Sequence, residues 1–191
     1  MKRLTILTVL LITIFSAPAL AQLEIGASYE LRNEEPKNGF GLRIQKGIFE
    51  RLPLVNLGIR LHASYFSEEN NIDPQNQSYS YSRDLTNIDV GIAAIGGVSL
   101  GLLEPYVGLG LGTENYEQVI NDYSGPESVK PQSGSDNNIY WNMLAGAKVT
   151  VIPLIKPFVE YRYSDTSLSE PAFENVKSQT GRIMFGVSLS F

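Results

Sequence analysis

The chain contains no cysteine among its 191 residues. A disulfide framework, a thiolate zinc site and a cysteine nucleophile are therefore excluded. Basic residues are also scarce, with 15 Lys and Arg against 20 Asp and Glu and a formal net charge of -5. They form no cluster that could serve as a basic face for binding phosphates. We therefore expect no nucleic-acid partner.

Long apolar runs are also missing, apart from one short stretch at the N-terminus. Two basic residues precede the apolar residues 4–15, and Ala19-Leu20-Ala21 then offers the small-x-small pattern that a signal peptidase reads. As a helix this stretch spans about 18 Å, too short for a hydrocarbon core of about 30 Å. We predict a signal peptide over residues 1–21 and one mature domain over residues 22–191. Any membrane crossing by the mature domain must then use strands.

The residues that are abundant favour strands and turns: 17 Gly, 10 Tyr and 8 Phe. In the last segment every second residue from Ile183 to Phe191 is apolar, and the residues between are polar or small except for Met184. Eight segments share this two-faced pattern: 23–32, 39–45, 55–65, 87–92, 107–112, 139–151, 159–164 and 182–191. We predict an all-β fold, an eight-stranded antiparallel up-and-down transmembrane β-barrel, with both chain ends on the periplasmic side. A soluble lipocalin-like barrel with its apolar faces inward is the structural alternative.

A short internal repeat and the connection lengths support this organisation. Pro53, Pro105 and Pro157 each begin a similar motif, 52 residues apart, and each is predicted to open an odd-numbered strand. Long connections are predicted after the odd strands and short turns after the even ones, which is the asymmetry of extracellular loops and periplasmic turns. The predicted loops are 33–38, 67–83, 115–137 and 165–180.

Two segments resemble the small outer-membrane β-barrel family that includes the OmpA- and OmpX-type eight-stranded barrels. They are Phe158-Val159-Glu160-Tyr161-Arg162-Tyr163-Ser164 and the ending Phe185-Gly186-Val187-Ser188-Leu189-Ser190-Phe191. The resemblance spans the mature chain and implies location in the cell outer membrane. It also implies that Phe191, with Leu189, Val187 and Phe185 before it, is the signal read by the outer-membrane assembly machinery. Members of the family act as anchors, adhesins, defence proteins or narrow channels.

The strand face opposite the apolar one is predicted to line the lumen. Its charged residues carry both signs: Glu24, Glu30, Arg32, Arg43, Arg60, His62, Asp89, Lys148, Glu160, Arg162 and Arg182. Side chains can fill the interior of an eight-stranded barrel, so we expect a paired polar plug because unpaired buried charges are costly. The alternative is a narrow path for ions or small solutes, with Gly108, Gly110 and Gly112 leaving room for it.

His62 and Ser64 suggest a third, more remote function. They lie two residues apart on one strand face, a spacing that could serve a lipid hydrolase with Glu68 or Glu69 as orienting group. The pair resembles the His-x-Ser element of outer-membrane lipid A deacylases. However, the strand phase places it on the lumen side, so a buried structural histidine is the favoured interpretation and we expect no enzyme activity.

The predicted loops are where a filled barrel can act. They hold twelve acidic and four basic residues, a net charge of -8. Tyr79-Ser80-Tyr81-Ser82 adds aromatic side chains. We therefore expect a monomer with a structural or surface-interaction role, in contact with outer-membrane lipids and lipopolysaccharide, and without a cofactor or metal.

Overall fold

The computed structural model describes residues 23–49, 54–73, 79–166 and 179–191. The predicted signal peptide lies outside this range. Each strand pairs antiparallel with the next, and β8 returns to β1 to close a barrel. In chain order the strands are β1 (Leu23–Arg32), β2 (Asn38–Phe49), β3 (Val55–Ile72), β4 (Ser80–Val98), β5 (Leu103–Ser124), β6 (Gly134–Val149), β7 (Ile155–Thr166) and β8 (Gln179–Ser190). The all-β, eight-stranded up-and-down architecture predicted from the sequence is confirmed.

The two faces of the strands are oriented as a membrane barrel requires. The apolar face points outward, with Phe40 68% and Leu109 65% exposed, whereas Arg60 and Asp89 on the other face are 0% exposed. The soluble alternative would have buried the apolar side chains instead. It is therefore wrong, and we call the outward apolar face the belt. Within the described ranges, the helical structure offers nothing long and apolar enough to cross a membrane.

Four strands extend well beyond the belt on one side of the barrel. β3 to β6 contain 18, 19, 22 and 16 residues, whereas β1 contains 10 and β2, β7 and β8 contain 12 each. We call residues 67–72, 80–87, 113–124 and 134–138 the outer sheet. Much of the predicted loops 67–83 and 115–137 is therefore strand. The sequence pattern missed it because alternation of apolar and polar residues fades where lipid no longer covers one face, although the backbone pairing continues.

The prolines of the repeat lie slightly deeper than predicted. β5 begins at Leu103 and β7 at Ile155, so Pro105 and Pro157 are each the third residue of their strand. Pro105 still pairs with β6, but the β4–β5 ladder has already ended at Gly97↔Tyr106. Each proline is tolerated where one neighbouring ladder has stopped, because it has no N–H to donate. Pro53 lies outside the described residues.

The opposite end of the barrel has short connections, as predicted. Residues 99–102 join β4 to β5, and Gly101 takes a φ of +71° that favours glycine. Residues 150–154 join β6 to β7. The last strand ends at Ser190 rather than at Phe191, but the Phe191 N–H still donates to the Leu23 carbonyl at 2.9 Å.

Candidate functional site: the barrel interior and the outer sheet

Four charges close the turn end of the lumen. Lys148 Nζ donates to Glu24 Oε1 at 2.8 Å, and Lys156 Nζ donates to Glu104 Oε1 at 3.1 Å. Each lysine also reaches the other carboxylate, at 3.5 Å for Lys148–Glu104 and 3.4 Å for Lys156–Glu24. Because the four residues belong to β5, β6, β7 and β1, this cluster links four strands of the barrel wall.

Glu160 organises the middle of the lumen. Its carboxylate accepts hydrogen bonds from Arg60, from Arg43 Nη1 at 3.3 Å and from Arg162 Nη2 at 3.2 Å. The Tyr106 hydroxyl donates to the same carboxylate at 2.8 Å. Three arginines thus share one carboxylate, which is 1% exposed.

A second network lies on the outer-sheet side of the first. Arg182 Nη1 donates to Asp89 Oδ2 at 2.5 Å and to Glu30 Oε2 at 3.3 Å. Tyr140 hydroxyl lies 2.8 Å from His62 Nε2 and donates to Asp89 Oδ1 at 3.3 Å. These contacts draw β1, β3, β4, β6 and β8 together across the interior.

The outer mouth of the lumen is also covered. Arg32 donates to Asn87 Oδ1 at 2.8 Å and to the Tyr116 hydroxyl, and its guanidinium lies 4.9 Å from the Phe66 ring. Above this layer, an ion pair between Glu35 of the first loop and Arg83 of β4 ties the loop to the outer sheet.

All eleven charged residues predicted to face the lumen are buried inside the barrel. Sequence reasoning missed several charged and aromatic partners of that network: Glu104, Lys156, Glu114, Tyr106 and Tyr116. Tyr140, by contrast, lies on the lumen-facing side of the predicted segment 139–151. Glu104, Lys156 and Glu114 continue the lumen-facing alternation of their strands, but they lie beyond the predicted strand ends. Longer strand assignments would have included them.

The lumen is filled by apolar as well as polar side chains. Ala93, Ile95, Tyr106 and Leu144 form a buried cluster inside the barrel. A Cβ at Gly108 would lie 2.6 Å from Ile95 Cδ1. A Cβ at Gly112 would lie 2.5 Å from the Tyr140 ring, and one at Gly110 would lie 2.9 Å from Asn142 Oδ1. The prediction that these glycines leave room in the lumen is therefore wrong, since neighbouring side chains occupy that space.

His62 and Ser64 do not form a catalytic pair. His62 Nε2 contacts Tyr140, whereas Ser64 Oγ donates to Glu30 Oε1 at 3.2 Å. Both side chains are buried within the lumen, away from the belt that faces lipid. Glu68, one of the two proposed orienting groups, instead accepts a hydrogen bond from the Lys37 backbone N–H at 2.7 Å.

The outer sheet and its connections carry exposed acidic side chains and half-buried aromatic ones. Glu69, Asp73, Glu117 and Asp122 are exposed. Tyr79 and Tyr81 stack with ring centroids 6.2 Å apart. Part of the predicted acidic loop set, Glu170 and Glu174, lies outside the described residues. Among the residues that are described, no group of three or more His, Cys, Asp or Glu side chains could hold a metal ion.

No protein-family model and no curated protein sequence matches the chain. Solved structures do match, at low identity. Neisserial surface protein A is 19% identical, covering 90% of this chain and 97% of that one with a TM-score of 0.53. A major outer membrane protein from Thermus thermophilus is 15% identical, covering 90% and 99% with a TM-score of 0.63.

A third match is the N-terminal β-barrel domain of Pseudomonas aeruginosa OprF, which is 18% identical and covers 89% of this chain and 97% of that one, with a TM-score of 0.54. These likenesses concern the fold alone. The chain has the fold of the small outer-membrane β-barrels, with its lumen filled and one wall extended beyond the belt.

Proposed function

We propose that this chain is a monomeric outer-membrane protein that uses its barrel as an anchor and its outer sheet as a surface for binding cationic ligands. The observation that carries the proposal is the contrast between the two parts. The lumen is closed by successive layers of paired side chains, whereas β3 to β6 continue outward as a sheet with exposed carboxylates. A filled barrel can act only through what it displays.

The charge of the outer sheet supports a cationic ligand. The exposed carboxylates of Glu69, Asp73, Glu117 and Asp122 lie on β3, on the segment after it, and on β5. Clustered charges of one sign attract ligands of the opposite sign and speed their association at low ionic strength. The stacked Tyr79 and Tyr81 add an aromatic surface for apolar or cation–π contacts.

The binding experiment uses the mature protein in phospholipid vesicles and a fluorescent lysine-rich peptide. We expect binding that weakens as salt rises, because exposed charges are screened. A variant with Glu69→Gln, Asp73→Asn, Glu117→Gln and Asp122→Asn should lose most of it. A matched variant of exposed neutral residues, Asn71→Ser with Asn115→Ser, should retain it. Equal binding by the two variants would contradict the proposal.

A narrow channel is the second candidate, and one observation favours it. Nε and Nη1 of Arg162 and both amide atoms of Asn142 are buried without a hydrogen-bond partner among the described residues. Buried polar atoms of this kind are normally satisfied by water, so part of the lumen is expected to be hydrated. Planar-bilayer recordings separate the candidates. The anchor predicts no stepwise conductance from folded protein, and reproducible channel events would favour the pore.

A further inference from the structure

The end of the barrel opposite the outer sheet is formed by tight turns with apolar side chains. Leu100 bridges Leu103 around the corner Gly101-Leu102, and Ile152 bridges Ile155 around Pro153-Leu154. We call the exposed apolar residues of the connections at this end the turn rim. They are Leu54, Leu100, Leu102, Val151, Ile152 and Leu154. Leu102 is 68% exposed and Val151 65% exposed, as much as residues of the belt.

This composition is unusual for turns that project into water. Gly, Pro, Asn, Asp and Ser dominate such turns, and only Gly101, Pro153 and Ser99 fit that pattern here. Residues 99–102 and 150–154 contain no charged side chain. The nearest charges along the chain from these two connections are Glu104, Lys148 and Lys156, and both lysines pair with Glu104. These two connections therefore present an uncharged surface at the end of the barrel, whereas the connection between β2 and β3 contains Glu50 and Arg51.

The belt by itself is already tall enough to cross the membrane. On β3 its outward residues run from Val55 to Tyr65, about 34 Å along the strand at about 3.4 Å per residue. At a strand tilt of about 40°, that is about 26 Å along the barrel axis, which matches the band of about 25 Å seen in outer-membrane barrels. The rim therefore lies beyond the hydrocarbon core.

Aromatic side chains mark the other boundary of the belt. The Tyr29 ring packs edge-on against the Phe40 ring, with centroids 5.5 Å apart, and the Trp141 and Tyr163 ring centroids are 5.7 Å apart. These four side chains lie on the outward face of the barrel, near the outer sheet. Tyr and Trp favour membrane interfaces because one end is apolar and the other polar. In the described strands, no outward-facing Tyr or Trp lies at the boundary of the belt near the short turns. The turn rim lies at that boundary instead.

From this arrangement we propose that the turn rim is inserted into the interfacial layer of the periplasmic leaflet and anchors the barrel there. Its occupant is phospholipid because the rim continues the belt without a polar break. Leu102 is followed directly by the belt residue Leu103, and Leu154 by Ile155. The inference rests on the proposed outer-membrane placement, which turns this end toward the periplasm.

Site-directed spin labelling tests the position of the rim, and the absence of cysteine makes single labels straightforward. Leu102→Cys and Val151→Cys would be labelled in the mature protein reconstituted in phospholipid vesicles. Leu109→Cys in the belt and Asn71→Cys on the outer sheet are the controls. Oxygen concentrates in lipid and a water-soluble nickel chelate in water, so the ratio of their collision rates with the label reports depth.

We expect oxygen-to-nickel ratios at residues 102 and 151 that exceed the ratio at residue 71 several-fold and lie below that at residue 109. Ratios equal to that at residue 71 would place the rim in water and overturn the inference. Low collision rates with both reagents would indicate protein contact, which would also overturn it. Failure of the Leu109 label to enter lipid would instead contradict the proposed membrane placement, so the two failures are distinguishable.

Discussion

Arg43 Nη1 lies 3.3 Å from Glu160 Oε2, although the two residues are 117 positions apart in the chain. The Arg43 guanidinium also stacks on the Phe158 ring, with its Cζ 3.3 Å from the ring centroid. Arg43 Nη2 donates a hydrogen bond to Ser188 Oγ at 2.8 Å. A single arginine on β2 is therefore held by residues of β7 and β8, which follow β1 on the other side in the closed barrel.

Removing the shared carboxylate should destabilise the barrel strongly. Glu160→Ala leaves Arg43, Arg60 and Arg162 without their common partner, and breaking such a buried pair costs about 3 to 5 kcal/mol. Urea unfolding in detergent micelles, followed by the gel shift between folded and unfolded barrel, measures the loss. Glu117→Ala, at an exposed site, should change the free energy of unfolding by less than about 0.5 kcal/mol. Equal stability of the two variants would refute the shared role of Glu160.

Two glycines of β4 should respond in opposite ways to alanine. A Cβ at Gly91 would lie 2.7 Å from both the His62 ring and the Tyr140 hydroxyl, so Gly91→Ala should cost about 1 to 3 kcal/mol through overpacking. A Cβ at Gly96 would meet only Leu57, at 3.6 Å. Gly96→Ala should therefore be neutral or slightly stabilising. The same unfolding assay compares them, and a tolerated Gly91→Ala would mean that the interior is looser than described.

Phe191 should matter for assembly rather than for stability. Phe191→Ala is expected to lower the amount of folded protein in the outer-membrane fraction of expressing cells, while refolding of purified protein in detergent stays unchanged. Phe40→Ala is the matched control, because Phe40 is as exposed as Phe191, at 68% and 69%. If both variants reach the membrane equally well, Phe191 carries no special signal.

Lipid A should remain unmodified by this protein. His62 and Ser64 are buried and bonded to different partners, so neither can meet an acyl chain. Mass spectrometry of lipid A from cells that express the wild-type chain, His62→Ala or Ser64→Ala should give the same spectrum in each case. Loss of an acyl chain with wild type alone would support the hydrolase interpretation.

The mature protein should begin at Gln22. Recognition of the small-x-small pattern at Ala19-Leu20-Ala21 predicts cleavage directly after it. N-terminal sequencing of protein extracted from outer membranes checks the site. Retention of residues 1–21 would show that the segment stays in the product, and Ala21→Asp is expected to block processing at this position.

Period-two alternation determined the strands that cross the belt, because lipid and lumen demand opposite side-chain chemistry on the two faces. Leu57, Ile59 and Leu61 alternate with Gly58, Arg60 and His62 for this reason, and their orientation could be read from the sequence. The same alternation identified eleven charged residues of the lumen, but not those beyond the predicted strand ends.

The tertiary structure decided what alternation cannot encode. Outside the belt lipid no longer covers the outward face, so the extension of β3 to Ile72 and of β5 to Ser124 follows from backbone pairing and not from apolar alternation. The grouping of Arg43, Arg60 and Arg162 around Glu160 depends on how the closed barrel places distant strands opposite one another. From the sequence we expected empty space in the lumen beside Gly108, Gly110 and Gly112. In the closed barrel, side chains of neighbouring strands occupy that space. The position of a residue in the alternation determines which face of the strand it lies on, whereas the side chains it contacts depend on how the barrel closes.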